Sequence, residues 1–118
     1  MSLSKPAIVW NTRDPLRGKT PQEFEVEVRR LLSGRVEAAY VFGSYGTPEF
    51  GRDSDVDMML VVRTDTRFLD RALEFPELCR LVPDMDLLVY TLEEFASLTD
   101  EPSPGFWASA VASLKRIL

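Results

Sequence analysis

The chain has 118 residues, with 14 Lys and Arg against 19 Asp and Glu for a net charge of −5, and 45% hydrophobic and 28% charged residues. That balance belongs to a folded globule of one domain, residues 1–118, and its acidity excludes a general attraction for nucleic acid or anionic membranes. There is no histidine and one cysteine, Cys79, which excludes imidazole catalysis, histidine-ligated zinc and an intrachain disulfide.

No apolar run reaches the roughly 18 residues that span a membrane, and no charged flank precedes an apolar N-terminal stretch, so a cytoplasmic protein is expected. Ala7 to Trp10 has the composition of a short strand. Asn11 to Lys19, with Asp14-Pro15 and Gly18, reads as a loop. Residues 1–19 carry no firmer assignment.

Thr20-Pro21-Gln22-Glu23 is a helix start: Thr20 caps, Pro21 suits the first helical position, and Glu23 reaches back to the cap amide. Phe24, Val28 and Leu31 give the apolar spacing, and the helix should end near Gly34. Val36 to Phe42 reads as a buried strand, Gly43 to Ser54 as a Gly-rich polar loop, and Val56 to Val62 as a second buried strand. Thr66 to Val82 reads as helical with an interruption at Pro76. Met85 to Tyr90 is a third strand, and Thr91-Leu92-Glu93-Glu94 is a second capping box opening a short helix to about Leu98. Asp100 to Gly105 is a loop. Trp107, Val111, Leu114 and Leu118 then mark one face of a last helix, with Lys115 and Arg116 at the negative end of its dipole. Three strands among helices define an α/β (α+β) domain with helices on at least one face of the sheet.

The chemistry gathers between Val41 and Tyr90. Asp55 and Asp57 stand at the entrance of the second strand, two residues apart and therefore on one face. Asp86 opens the third strand; Asp84 competes with it, but Met85 and Leu87 flank Asp86 with apolar residues. If the two strands are neighbours, three carboxylates meet at one end of the sheet. Such anions raise one another's pKa unless a cation joins them, and hard oxygen ligands suit Mg²⁺. Two such ions roughly 3.5–4 Å apart can hold a phosphoryl centre. Gly43-Ser44 ends the first strand in front of them. The glycine lets backbone amides approach a phosphate, Ser44 adds a hydroxyl, and a helix starting at Ser44 would add its dipole.

These residues resemble the DNA polymerase-β-like nucleotidyltransferase superfamily, and in particular its small stand-alone members, the minimal nucleotidyltransferases. The family pattern is a Gly-Ser after a strand, then Ser-Asp-x-Asp opening the next strand, then a third Asp on a later one. Gly43-Ser44, Ser54-Asp55-Val56-Asp57 and Asp86 match it in order, and the interval from Gly43 to Asp55 is that of the small members. The resemblance implies a nucleotidyltransferase-like fold, a small mixed sheet with helices packed on it. It implies that Asp55 and Asp57 bind two Mg²⁺ ions and that Asp86 binds the catalytic one and helps deprotonate an acceptor hydroxyl. Gly43, Ser44, Ser54 and Arg52 would hold the nucleoside triphosphate, with ATP the expected substrate. Where the family often carries Ala-Arg-Gly after Gly-Ser-x, this chain has Gly46-Thr47-Pro48, and Arg52 is the nearby substitute for the missing charge. Small members pair with a helical HEPN-domain protein as antitoxin and toxin and can modify a tyrosine of it. The resemblance thus implies transfer of AMP to a hydroxyl on a partner protein. The alternative is a weak or inactive nucleotidyltransferase-like antitoxin that acts by binding its partner.

Other motifs fail on their own terms. Asp53-x-Asp55-x-Asp57 resembles an EF-hand opening, but Met58 replaces the glycine and Thr64 the final glutamate. Gly46 to Arg52 lacks the Lys and Ser/Thr of a P-loop. Cys79 falls in an apolar helical pattern and reads as core. Tyr45 suits either stacking on a base or covering its own loop. Trp107 reads as core, and Glu23, Glu25 and Glu27 as a solvated helix face.

Overall fold

Helix α1 (Pro21–Leu32) begins where its capping box requires: Thr20 Oγ1 accepts the Glu23 N–H at 3.1 Å, and Glu23 Oε1 accepts the Thr20 N–H at 2.8 Å. The computed structural model describes residues 14–100 and 105–118, with the backbone alone for Phe106. The strand expected at residues 7–10 and most of the loop expected at 100–105 lie outside them. Helix α1 buries Phe24, Val28 and Leu32, so Leu32 rather than Leu31 completes its inner face.

Strands β1 (Ala38–Phe42), β2 (Val56–Val62), β3 (Met85–Thr91) and β4 (Lys115–Arg116) form one sheet in the order β3-β2-β1-β4. β1 pairs antiparallel with β2 and β4, and β2 pairs parallel with β3. The sheet is therefore mixed. The parallel step needs a crossover, which α2 (Phe68–Arg71), a 3₁₀ turn (Ala72–Glu74) and α3 (Pro76–Cys79) provide. One helical stretch over 66–82 was expected; short pieces stand in its place. Phe75 sits at φ −126°, ψ 50°, outside the helical region, because the ring of Pro76 disfavours it there. Helix α4 (Leu92–Asp100) starts on the second capping box, in which Thr91 and Glu94 bond each other's amides.

The C-terminus departs from expectation. Helix α5 (Phe106–Ala112) ends well before Leu118, and Lys115 and Arg116 pair with Val41 and Tyr40 as β4. The unpaired edge of β1 decides this. Ala39 N–H donates to Leu118 O at 3.0 Å and Ile117 N–H to Ala39 O at 2.9 Å, satisfying backbone groups that a continued helix would have left open. Lys115 and Arg116 therefore do not serve a helix dipole.

The strand period of two sorts the sheet into two faces. Val56, Met58 and Leu60 of β2 turn toward α1 and α3, where Phe24, Leu32 and Leu78 are buried. Phe42, Met59, Leu88 and Tyr90 turn toward α4 and α5, packing with Phe95, Trp107 and Ala110. Asp57 and Asp86, alternating with Met58 and Leu87, belong to this second face. Among the described residues no helix is long and apolar enough to cross a membrane.

Candidate active site

The parallel register sets Asp57 directly beside Asp86, and the antiparallel register sets Phe42, the last residue of β1, beside Asp57. The ends of three chain segments thus meet at one carboxylate. Burial raises the Asp57 pKa to about 6, reinforced by the charge of Asp86, a hydrogen bond between the two carboxyls, and the charge of Asp55. Asp55 is exposed and bears on Asp57 through its field. Among the described residues no three potential ligands form a closed metal-binding group. The preformed unit is the Asp57–Asp86 pair, with Asp55 one step outside it.

Gly43 closes over this pair. Its φ is +72°, and a Cβ added there would lie 2.5 Å from Asp57 Oδ2, so both backbone conformation and close approach demand glycine. The segment after it forms tight turns, as a Gly-rich polar loop should, and no helix starts at Ser44 to add a dipole. Thr47 N–H and Thr47 Oγ1 both donate to Ser44 O, at 2.9 and 2.6 Å, and Phe50 N–H donates to Thr47 O. Pro48 has no N–H to continue a helical ladder. Ser54 Oγ accepts the Gly51 N–H at 2.9 Å and so ties the loop to itself. Arg52 is exposed and is absent from the described lining of either cavity at the acidic pair.

Tyr45 covers the loop. Its ring is buried between Phe24 and Phe50, and its hydroxyl donates to Glu25 Oε2 at 2.7 Å. Burial and the neighbouring Glu25 carboxylate push its phenol pKa up. Lys115 Nζ also donates to Glu25 Oε2, at 3.2 Å. Glu25 is thus not part of a solvated face; it ties α1 to the Gly43–Ser44 turn and to β4.

Two cavities share Phe42 and Asp57. One, of about 470 Å³, is walled by Gly43, Ser44, Thr47 and Glu49 on the loop side and by Ser109, Ala110 and Ser113 opposite. The other, of about 310 Å³, is walled by Asp86, Leu87, Leu88 and Trp107. The first offers hydroxyls and a glycine turn; the second is apolar except for the carboxylates. Ser109 and Ser113 escaped the sequence reading. Their four-residue spacing was visible, but only the fold shows that this face of α5 meets the Gly43 turn.

A glycine turn and paired strand-end carboxylates therefore meet at one end of a mixed sheet. The Nucleotidyltransferase domain family matches residues 22–104, and the chain belongs to that family. The fold is shared with a chain of a mutant MntA–HpeT toxin–antitoxin crystal structure, at 17% identity and a TM-score of 0.52, covering 80% of this chain and 72% of that one. A protein of Sulfolobus solfataricus assigned as a nucleotidyltransferase aligns at 21% identity and a TM-score of 0.43, over 68% of this chain and 83% of its own. Among curated proteins none matches. The family generally uses a nucleoside triphosphate and a divalent metal.

Proposed function

We propose that this protein transfers AMP from ATP, with Mg²⁺, to a hydroxyl on a partner protein. The observation that carries the reading is that the Gly43–Ser44 turn and the Asp57–Asp86 pair adjoin one cavity through Asp57. The donor set fits the metal: burial first and the Asp86 charge second disfavour the bare Asp57 carboxylate, a cation would offset both, and the pair's oxygens are the ligands a hard cation prefers. Asp55 and Asp57 would hold two ions and Asp86 the one nearer the acceptor. When bound, the ions supply charge neutralisation and activation of the attacking and leaving oxygens.

The chain's own residues do the rest. Gly43 and Ser44 receive the triphosphate, with Ser54 pinning the loop behind them and Arg52 the one cation of the loop's sequence. Asp86 lines the second cavity and accepts the proton of the acceptor hydroxyl. The hydroxyl oxygen bonds to the α-phosphorus, the bond to the bridging α–β oxygen breaks, and pyrophosphate leaves. The apolar wall of Leu87, Leu88 and Trp107 suits a side chain presented by another protein. The toxin–antitoxin pair MntA–HpeT supports a protein partner, and the partner type proposed is a helical HEPN-type protein. The cytoplasm is the proposed site of action.

A second reading has its own observation. The first cavity's described lining carries Glu49 and no Lys or Arg, so phosphate charge is met by few protein cations. On that reading the chain is an antitoxin that neutralises its partner by binding alone. Calorimetry of ATP with and without Mg²⁺, on wild type and Asp57→Asn, tests the choice. Metal-dependent binding that Asp57→Asn abolishes is expected for the enzyme. No binding by folded wild type overturns that reading in favour of the second.

A further inference from the structure

The family match ends at residue 104, yet the far wall of the triphosphate cavity comes from α5 and the residue that ends it. Ser113 Oγ accepts the Gly43 N–H at 2.9 Å and donates to Ala110 O at 3.0 Å. Termination of α5 does not need that hydroxyl, because the Ser113 backbone N–H already bonds to Ser109 O and Ala110 O. Two residues on, Lys115 pairs with Val41 in the sheet and reaches Glu25, which also holds the Tyr45 hydroxyl. The stretch 113–115 therefore grips the turn at both ends, at Gly43 and, through Glu25, at Tyr45. Ser44 lies between these anchors.

We propose that Ser113 is a positioning residue of the triphosphate site, its hydroxyl fixing the Gly43 amide and so the orientation of the Ser44 that follows. The inference rests on the nucleotidyl-transfer reading above. Gly43 has a left-handed φ and no side chain to restrain it; without the Ser113 bond its peptide can rotate, and ordering it would be charged against each binding event. A phosphate chain bridging several donors is sensitive to that ordering, whereas a ligand with one phosphate is much less so.

The test uses the full chain as wild type, Ser113→Ala and Ser113→Thr, with ATP and AMP as probes in the presence of Mg²⁺, by calorimetry, and thermal melting alongside. Ser113→Ala should weaken ATP binding about fivefold, the order of one hydrogen bond's net contribution, and change AMP binding less than twofold. Ser113→Thr, which keeps the hydroxyl, should restore ATP binding to within about twofold of wild type. Unchanged or tighter ATP binding by Ser113→Ala overturns the proposal. So does equal weakening of ATP and AMP in step with a lowered melting temperature, which marks a merely structural role, or a Thr variant that behaves as Ala. If wild type binds no ATP with Mg²⁺, the nucleotidyl-transfer reading fails first and takes this inference with it.

Discussion

Gly43 and Asp57 are the residues on which geometry and charge press hardest. Any side chain at Gly43 meets the Asp57 carboxylate, and a φ of +72° adds strain for an L-residue. Gly43→Ala should lower stability by about 2 kcal/mol in urea unfolding, the sum of left-handed strain and a displaced carboxylate, and abolish Mg²⁺-dependent ATP binding. Asp57→Asn should separate these two effects. Removing one charge of a pair that repels raises the stability of the metal-free protein at pH 7, while the metal site is lost. A variant that melts higher in chelator yet transfers no label from α-labelled ATP is the expected result; a lower melting point would mean that burial and the Asp86 charge do not disfavour the ionised Asp57 carboxylate.

At the scale of elements, the crossover between β2 and β3 depends on one buried cation. Arg71, 8% exposed at its side chain, donates to Thr66 O, to Val89 O on the edge strand and to Glu94 at 2.6 Å. Glu94 in turn closes the capping box of α4. Arg71→Met should cost about 2–3 kcal/mol in urea unfolding, less than a fully buried pair because Glu94 keeps contact with water. None of this was legible in the sequence, where Arg71 is one charge among many. The elements with local causes were legible. Both capping boxes announce themselves within four residues, and β2 has the bounds of its apolar run. The meeting of Asp57 and Asp86 was legible only on the condition that their strands are neighbours: a strand's period of two fixes the face of each side chain, but the register that sets one beside the other comes from the fold. The C-terminus was not. Trp107, Val111, Leu114 and Leu118 keep helical spacing, but the open edge of β1 competes for the chain, and that edge exists only after folding. Ser113 and the Glu25–Tyr45 bond were hidden for the same reason: their partners lie 70 and 20 residues away.

The whole molecule, at a net charge of −5, concentrates three of its acids at one end of the sheet, and its stability should carry that signature. An acid whose pKa is higher folded than unfolded holds its proton more tightly in the native state. Between the two values the native protein binds more protons than the unfolded chain, so stability falls as pH rises. For Asp57 the window runs from 3.8 to about 6. In chelator, its contribution is therefore a stability lost progressively across that window and flat above it. A divalent cation reverses the sign of the site's electrostatics, because the charged form of the pair is the form that binds. Added Mg²⁺ should raise the melting temperature more at pH 7 than at pH 5, where Asp57 is mostly protonated. Melting curves at both pH values, with and without Mg²⁺, check this, and Asp57→Asn should flatten both the pH dependence in that window and the metal effect. An equal Mg²⁺ effect at the two pH values would locate cation binding away from the Asp57–Asp86 pair.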